Sequence, residues 1–193
     1  MPLKKALLLT ALAVAPAAQS AVIIDIVESG ANVVATATGS INTAGLTFFS
    51  AASTSVGVRP ATPRIRAGTG SATDLYNVAF TSSSAIGSGS SFTAASSGTG
   101  SVFGISSSTT LNLPSGYVSG AAINSTATWN STTFAGLGLT EGSYDFTWGA
   151  GGNADSITVN VGAVPEPSAY AAIAGVSLMG FAAWRRRRVV AQS

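Results

Sequence analysis

Between residues 22 and 163 the charged side chains are six carboxylates, on Asp25, Glu28, Asp74, Glu141, Asp145 and Asp155, and three guanidiniums, on Arg59, Arg64 and Arg66. Histidine and cysteine are absent from the whole chain. No Ser-His-Asp or Cys-His nucleophile can therefore be assembled, and no metal site built on imidazole or thiolate. Carboxylate chemistry remains. A glycosidase needs two acids on facing sides of one cleft, about 5–10 Å apart. Glu141 and Asp145 lie near a surface turn, and the six acids are expected to be solvated charges that keep a sheet in solution. Gly151-Gly152-Asn153-Ala154-Asp155 is similar to one turn of a calcium β-roll, but it is one residue short and unrepeated. No P-loop or Gly-x-Ser-x-Gly elbow occurs, so neither a metal nor a cofactor is expected.

Aromatic residues offer a second chemistry, stacking against sugars. Tyr144 and Trp148 alternate along one strand and belong in a core, whereas Trp129 beside a polar turn, together with Tyr117, is the candidate ligand contact. Arg59, Arg64 and Arg66 cluster within eight residues. They are expected on a solvated loop held by local carboxylates, with docking of an acidic glycan as the alternative. Asn124-Ser125-Thr126 and Asn130-Ser131-Thr132 match the N-glycosylation pattern.

The elements that must position these groups show period-two alternation, the mark of half-buried strands. Residues 22–28 and 33–38 flank Ser29-Gly30-Ala31-Asn32 as a hairpin. Residues 46–50 form a compact apolar strand, and Tyr76, Val78 and Phe80 mark another with one buried face. Residues 56–70 contain Pro60 and Pro63 with all three arginines, which predicts a loop or an irregular edge. Residues 82–101 are mostly serine, glycine, alanine and threonine, so a long loop or a pair of weak strands is expected. Further strands follow at 102–105, 109–113, 127–129 and 132–134, the last two about an Asn130-Ser131 turn. The clearest pair is Tyr144, Phe146 and Trp148 against Ile157, Val159 and Val161, joined by a glycine-rich loop at 149–155. No segment from 21 to 163 has helical periodicity. The expected fold is all-β, an antiparallel sandwich-like domain of about 140 residues, long enough to bury a core without disulfides.

The ends of the chain carry a different message. Residues 1–20 have a basic start at Lys4 and Lys5, an apolar stretch too short to span a bilayer, and small residues about Ala18-Gln19-Ser20-Ala21, which is the pattern of a secretory signal peptide. Near the other end come Val164-Pro165-Glu166-Pro167, an apolar run at 168–184, then Arg185, Arg186, Arg187 and Arg188, followed by a short tail at 189–193. As a helix the run would span roughly 25 Å, slightly less than the ~30 Å hydrocarbon core. The arginines would stay in the cytoplasm and fix the helix N-out, C-in. Lys4, Lys5 and these four arginines account for six of the nine positive charges, so the exported domain keeps three against six negatives, a net of −3. That balance argues against a nucleic-acid partner.

The Pro-Glu-Pro triplet, the single span and the terminal arginines together resemble the PEP-CTERM sorting signal of exported bacterial proteins, a tail also called the ice-binding protein C-terminal domain. The resemblance covers roughly the last 28 residues. It implies an exosortase, a membrane-embedded cysteine protease-transpeptidase, as the partner that recognises Val164, Pro165, Glu166 and Pro167 and cuts near that motif. It also implies signal peptidase and the secretion translocon, transient membrane anchoring, and a Gram-negative envelope or a biofilm matrix containing exopolysaccharide. Two prolines suit the motif to a protease cleft, because they fix φ and hold the segment extended. The domain itself resembles exported domains found upstream of this signal, through Leu46-Thr47-Phe48-Phe49, residues 114–120 and residues 144–149, and that likeness carries no activity. The chain is thus expected to be a non-enzymatic, sorted surface protein, with a carbohydrate- or matrix-binding module as the alternative and a carboxylate hydrolase behind it.

Overall fold

A computed structural model describes residues 21–70, 72–81 and 84–162. The signal peptide expected at 1–20, the sorting motif at 164–167, the helix at 168–184, the arginines at 185–188 and the tail at 189–193 lie outside the described residues.

The described chain is almost all strand: β1 (Ala21–Ser29), β2 (Asn32–Ser40), β3 (Thr47–Ser53), β4 (Gly57–Arg59), β5 (Arg64–Ala67), β6 (Ala72–Asn77), β7 (Thr93–Ala94), β8 (Ser97–Thr99), β9 (Phe103–Ser107), β10 (Thr110–Pro114), β11 (Ala122–Trp129), β12 (Gly142–Trp148) and β13 (Asp155–Val161). One sheet runs β12-β13-β1-β2-β11-β8 and the other β3-β6-β10-β9-β5-β4-β7. Their inward side chains merge into a single core that includes Ile24, Ile26, Val33, Ile65, Phe103, Ile105, Leu111, Trp129, Phe146 and Val159. Each of the larger ones contributes roughly 1.5–3 kcal/mol by leaving water, which is how a cysteine-free domain holds together.

Alternation gives the strongest elements. β1 and β13 bury every second residue, Val22, Ile24 and Ile26 on one and Ile157, Val159 and Val161 on the other. β1 and β2 close through a two-residue turn at Gly30-Ala31, with Ser29 opposite Asn32 and Gly30 at φ 62°, a left-handed conformation that glycine adopts without a Cβ penalty. β12 and β13 pair antiparallel as a hairpin.

Four expectations change. The sheets are not purely antiparallel, because β13 lies parallel to β1, with Ala21 opposite Ser156 and Ile26 opposite Val161. Such a pairing of the first and last strands depends on the whole intervening chain and has no local signature. Residues 56–70 are not a loop. They form the β4–β5 hairpin, with Val58 and Ile65 fully buried, and Pro60 and Pro63 sit in its turn, where no ladder N–H is required. Of the strand expected at 46–50, residues 47–50 fall in β3, an edge strand with a bulge, in which Phe48 and Phe49 are exposed. Residues 132–134 are not a strand. Thr133 caps a one-turn helix, α1 (Phe134–Leu137), its hydroxyl accepting from Gly136 N, while Gly138 ends it in the left-handed region.

Candidate functional site

The six acids are dispersed, and five of them have separate hydrogen-bonding duties. Asp25 accepts from Asn160 Nδ2 at 2.9 Å and Asp145 from the Thr158 hydroxyl at 2.7 Å, both on the outer face of the first sheet. Glu28 accepts the Phe134 N–H at 2.7 Å and so caps the first turn of α1. Asp74 accepts from Gly116 N at 2.9 Å, and Glu141 is exposed. Asp155 is buried, and its two oxygens accept from Asn42 N at 2.6 Å and Ser156 N at 2.7 Å. Burial pushes the Asp155 carboxyl up, against the pull of those two N–H donors. Asp155 lines a cleft of about 450 Å³ with Trp148, Thr147, Thr81 and Ser156, and among the described residues no second acid lines it. Among the described residues no group of three or more acids is gathered that could hold a metal ion.

The expected aromatic contact is corrected. Trp129 is 2 % exposed, in the core, and its Nε1 donates to Thr93 O at 3.1 Å, so no ring face is open to a sugar. Ile123, Ala127 and Trp129 share the inward parity of β11, and the polar turn beside Trp129 obscured that parity in the sequence. Tyr117 is half-buried. Its hydroxyl accepts from Ile41 N at 2.9 Å and donates to Ala121 O, tying the loop after β10 to the first sheet. Trp148 is core as expected, with an Nε1 that has no hydrogen-bond partner.

The folded domain hands its C-terminal end to the tail directly. β13 is paired on both sides, with β12 and β1, and Gly162 N still donates to Ile26 O at 2.9 Å. Val164 follows two residues later. Residues 163–188 match the family model for the PEP-CTERM protein-sorting motif. The chain carries a PEP-CTERM sorting motif. Comparison with curated proteins and with solved structures gives no match. The PEP-CTERM motif marks an exported protein with a C-terminal membrane anchor before cleavage, and it names exosortase as the processing partner. Among the described residues no helix is long and apolar enough to cross a membrane.

Upstream of the PEP-CTERM motif the domain's most distinctive charged feature is on β4 and β5. Arg59 stands opposite Arg64, and Arg66 opposite Gly57. Arg59 Nε donates to Thr62 Oγ1 at 2.6 Å and Arg64 Nε to Ser106 O at 3.0 Å. Arg66 is 6 % exposed, and its Nε has no partner. Among the described residues, no carboxylate is among the charges acting on Arg64 or Arg66. The charges acting on Arg66 are Arg64 and Arg59, which with burial, the larger cause, lower its pKa to about 10. Burial and Arg59 lower that of Arg64 as well.

Proposed function

We propose that the chain is a non-enzymatic protein delivered to the cell surface or extracellular matrix, anchored N-out and C-in by residues 168–184 until exosortase recognises Val164, Pro165, Glu166 and Pro167 and cuts near them. The observation that carries this is the sorting motif at residues 163–188, which begins directly after the last core strand. Because β13 is already locked between two neighbours, cleavage at 164–167 would leave every described core residue in place. The domain before it has a net charge of −3 and no lysine, so it gains little from an anionic membrane surface once released. The lack of histidine and cysteine, with five of the six carboxylates of residues 22–163 engaged in hydrogen bonds inside the fold, supports a binding or structural task over catalysis.

The motif's parts have distinct duties. Arg185, Arg186, Arg187 and Arg188 hold the helix in depth and direction, since moving each across the bilayer would cost ~2.5–3.5 kcal/mol. Pro165 and Pro167 keep the recognised segment extended, and Glu166 supplies its charge. Glu166→Ala, or deletion of residues 185–188, should leave uncleaved protein in the membrane fraction. Unchanged processing and release of both variants would refute the assignment.

A further inference from the structure

We propose that Arg59, Arg64 and Arg66, gathered on the outer face of the β4–β5 hairpin beside Phe92, form a binding site for the carboxylate of an acidic sugar. The site does not depend on the sorting route. Val58 and Ile65 turn inward to the core, so the alternate positions of the same strands, Arg59, Arg64 and Arg66, point the other way. These three are all the positive charge in residues 22–163, and they are held together with no compensating charge acting on them.

A buried cation without a partner is costly, and a fold that served stability alone would replace it with an apolar residue at no loss. Here the surroundings keep it. Both neighbours of Arg66 across the sheet are glycines, Gly57 on β4 and Gly104 on β9. Neither contributes a side chain to the row, and the space over Gly57 is taken by the Phe92 ring. A Cβ at Gly57 would lie 2.6 Å from Phe92 Cζ, so the glycine is what lets the ring approach. The guanidinium carbons of Arg64 and Arg66 lie 5.8 and 5.5 Å from the Phe92 centroid, within cation–π range, and the ring therefore steers both arginines without neutralising them. Beyond Gly104 in the same row is Asn112, fully buried, whose Nδ2 donates to the Thr54 and Thr73 hydroxyls at 3.2 Å.

The chemistry of this group selects its ligand. Guanidiniums present planar forks that match a carboxylate in two parallel hydrogen bonds. A polymer as densely charged as nucleic acid would meet a domain of net charge −3, whereas one carboxylate per sugar unit meets the local +3. A peptide would favour a long open sheet edge, but the edge here is β7, only two residues long. One aromatic ring, Phe92, beside the guanidiniums suits a sugar ring better.

The test is calorimetric titration of the exported protein with oligogalacturonate. Controls are a neutral maltooligosaccharide, inorganic phosphate, sulfate and poly-glutamate, and the variants are Arg59→Gln, Arg64→Gln and Arg66→Met. The expected result is saturable oligogalacturonate binding that weakens as salt rises, is at least about tenfold weaker in Arg64→Gln and Arg66→Met, and is absent with the neutral sugar. Thermal unfolding supplies a second readout: oligogalacturonate should raise the Tm of the wild type but not of Arg66→Met, and ligand-free Arg66→Met should melt no lower than the wild type. Equal binding of the neutral sugar, tighter binding of phosphate, sulfate or poly-glutamate, undiminished binding by a folded Arg64→Gln, or no binding would each overturn the assignment.

Discussion

Arg59 and Arg64 occupy directly opposed positions across the β4–β5 hairpin, like charge facing like charge. Cross-strand pairs of one sign work against the sheet by about 0.2–1 kcal/mol, and no nearby acid offsets the repulsion on Arg64. Arg59→Gln should therefore stabilise the ligand-free domain by a few tenths of a kcal/mol. Denaturant unfolding at low and high salt checks this, because added salt should stabilise the wild type more than the variant. Equal salt responses would place the two charges out of each other's field.

The Trp129 ring fills the core and its Nε1 is bonded to Thr93 O. Trp129→Ala should cost about 3–5 kcal/mol, the range for losing a buried aromatic. Trp129→Phe should cost less, about 1–3 kcal/mol, largely for the orphaned Thr93 carbonyl. Equilibrium urea unfolding measures both. A Trp129→Ala variant of unaltered stability would move the ring back to the surface.

Asp155 carries a pH dependence of definite sign. Burial raises its pKa above 3.8 in the fold, so the folded state binds the proton more tightly than the unfolded chain does. The stabilisation is present below the unfolded pKa and is lost as pH rises through the folded value. Asp155→Asn removes this term and can still accept from Asn42 N. The difference in unfolding free energy, wild type minus Asp155→Asn, should therefore fall between pH 3 and pH 7. A difference that is flat or rises with pH would mean the two N–H donors outweigh burial.

Gly57 is at φ 157°, and a Cβ there would come within 2.4 Å of Thr93 O as well as striking Phe92. Gly57→Ala should destabilise the domain by about 1–3 kcal/mol, the scale of backbone strain at such a position. It should also displace Phe92 from Arg64 and Arg66. Unfolding midpoints and the loss of the aromatic ring-current shifts on the arginine side-chain protons would report the two effects separately.

Local alternation made the β1–β2 and β12–β13 hairpins legible, since each buries one face and each turn has glycine where it is needed. It failed where residues of special chemistry were given the wrong place in an element. Pro60 and Pro63 suggested a loop because proline breaks ladders, yet both fall in the four-residue turn between β4 and β5 and break none. The arginine cluster itself was visible in the sequence, but its lack of acidic partners was not, because that depends on contacts from distant segments such as Phe92 and Ser106. The sorting motif was legible for the opposite reason. It is read by another protein as a short linear pattern, so its residues need no tertiary neighbours to be recognised.

The sorting claim is tested most directly by the intact mass of the released protein. Cleavage at both ends predicts a chain that begins near Ala21 and ends within or beside Val164-Pro165-Glu166-Pro167, without residues 168–193. A released protein whose mass still includes Trp184 and Arg185 to Arg188 would contradict it.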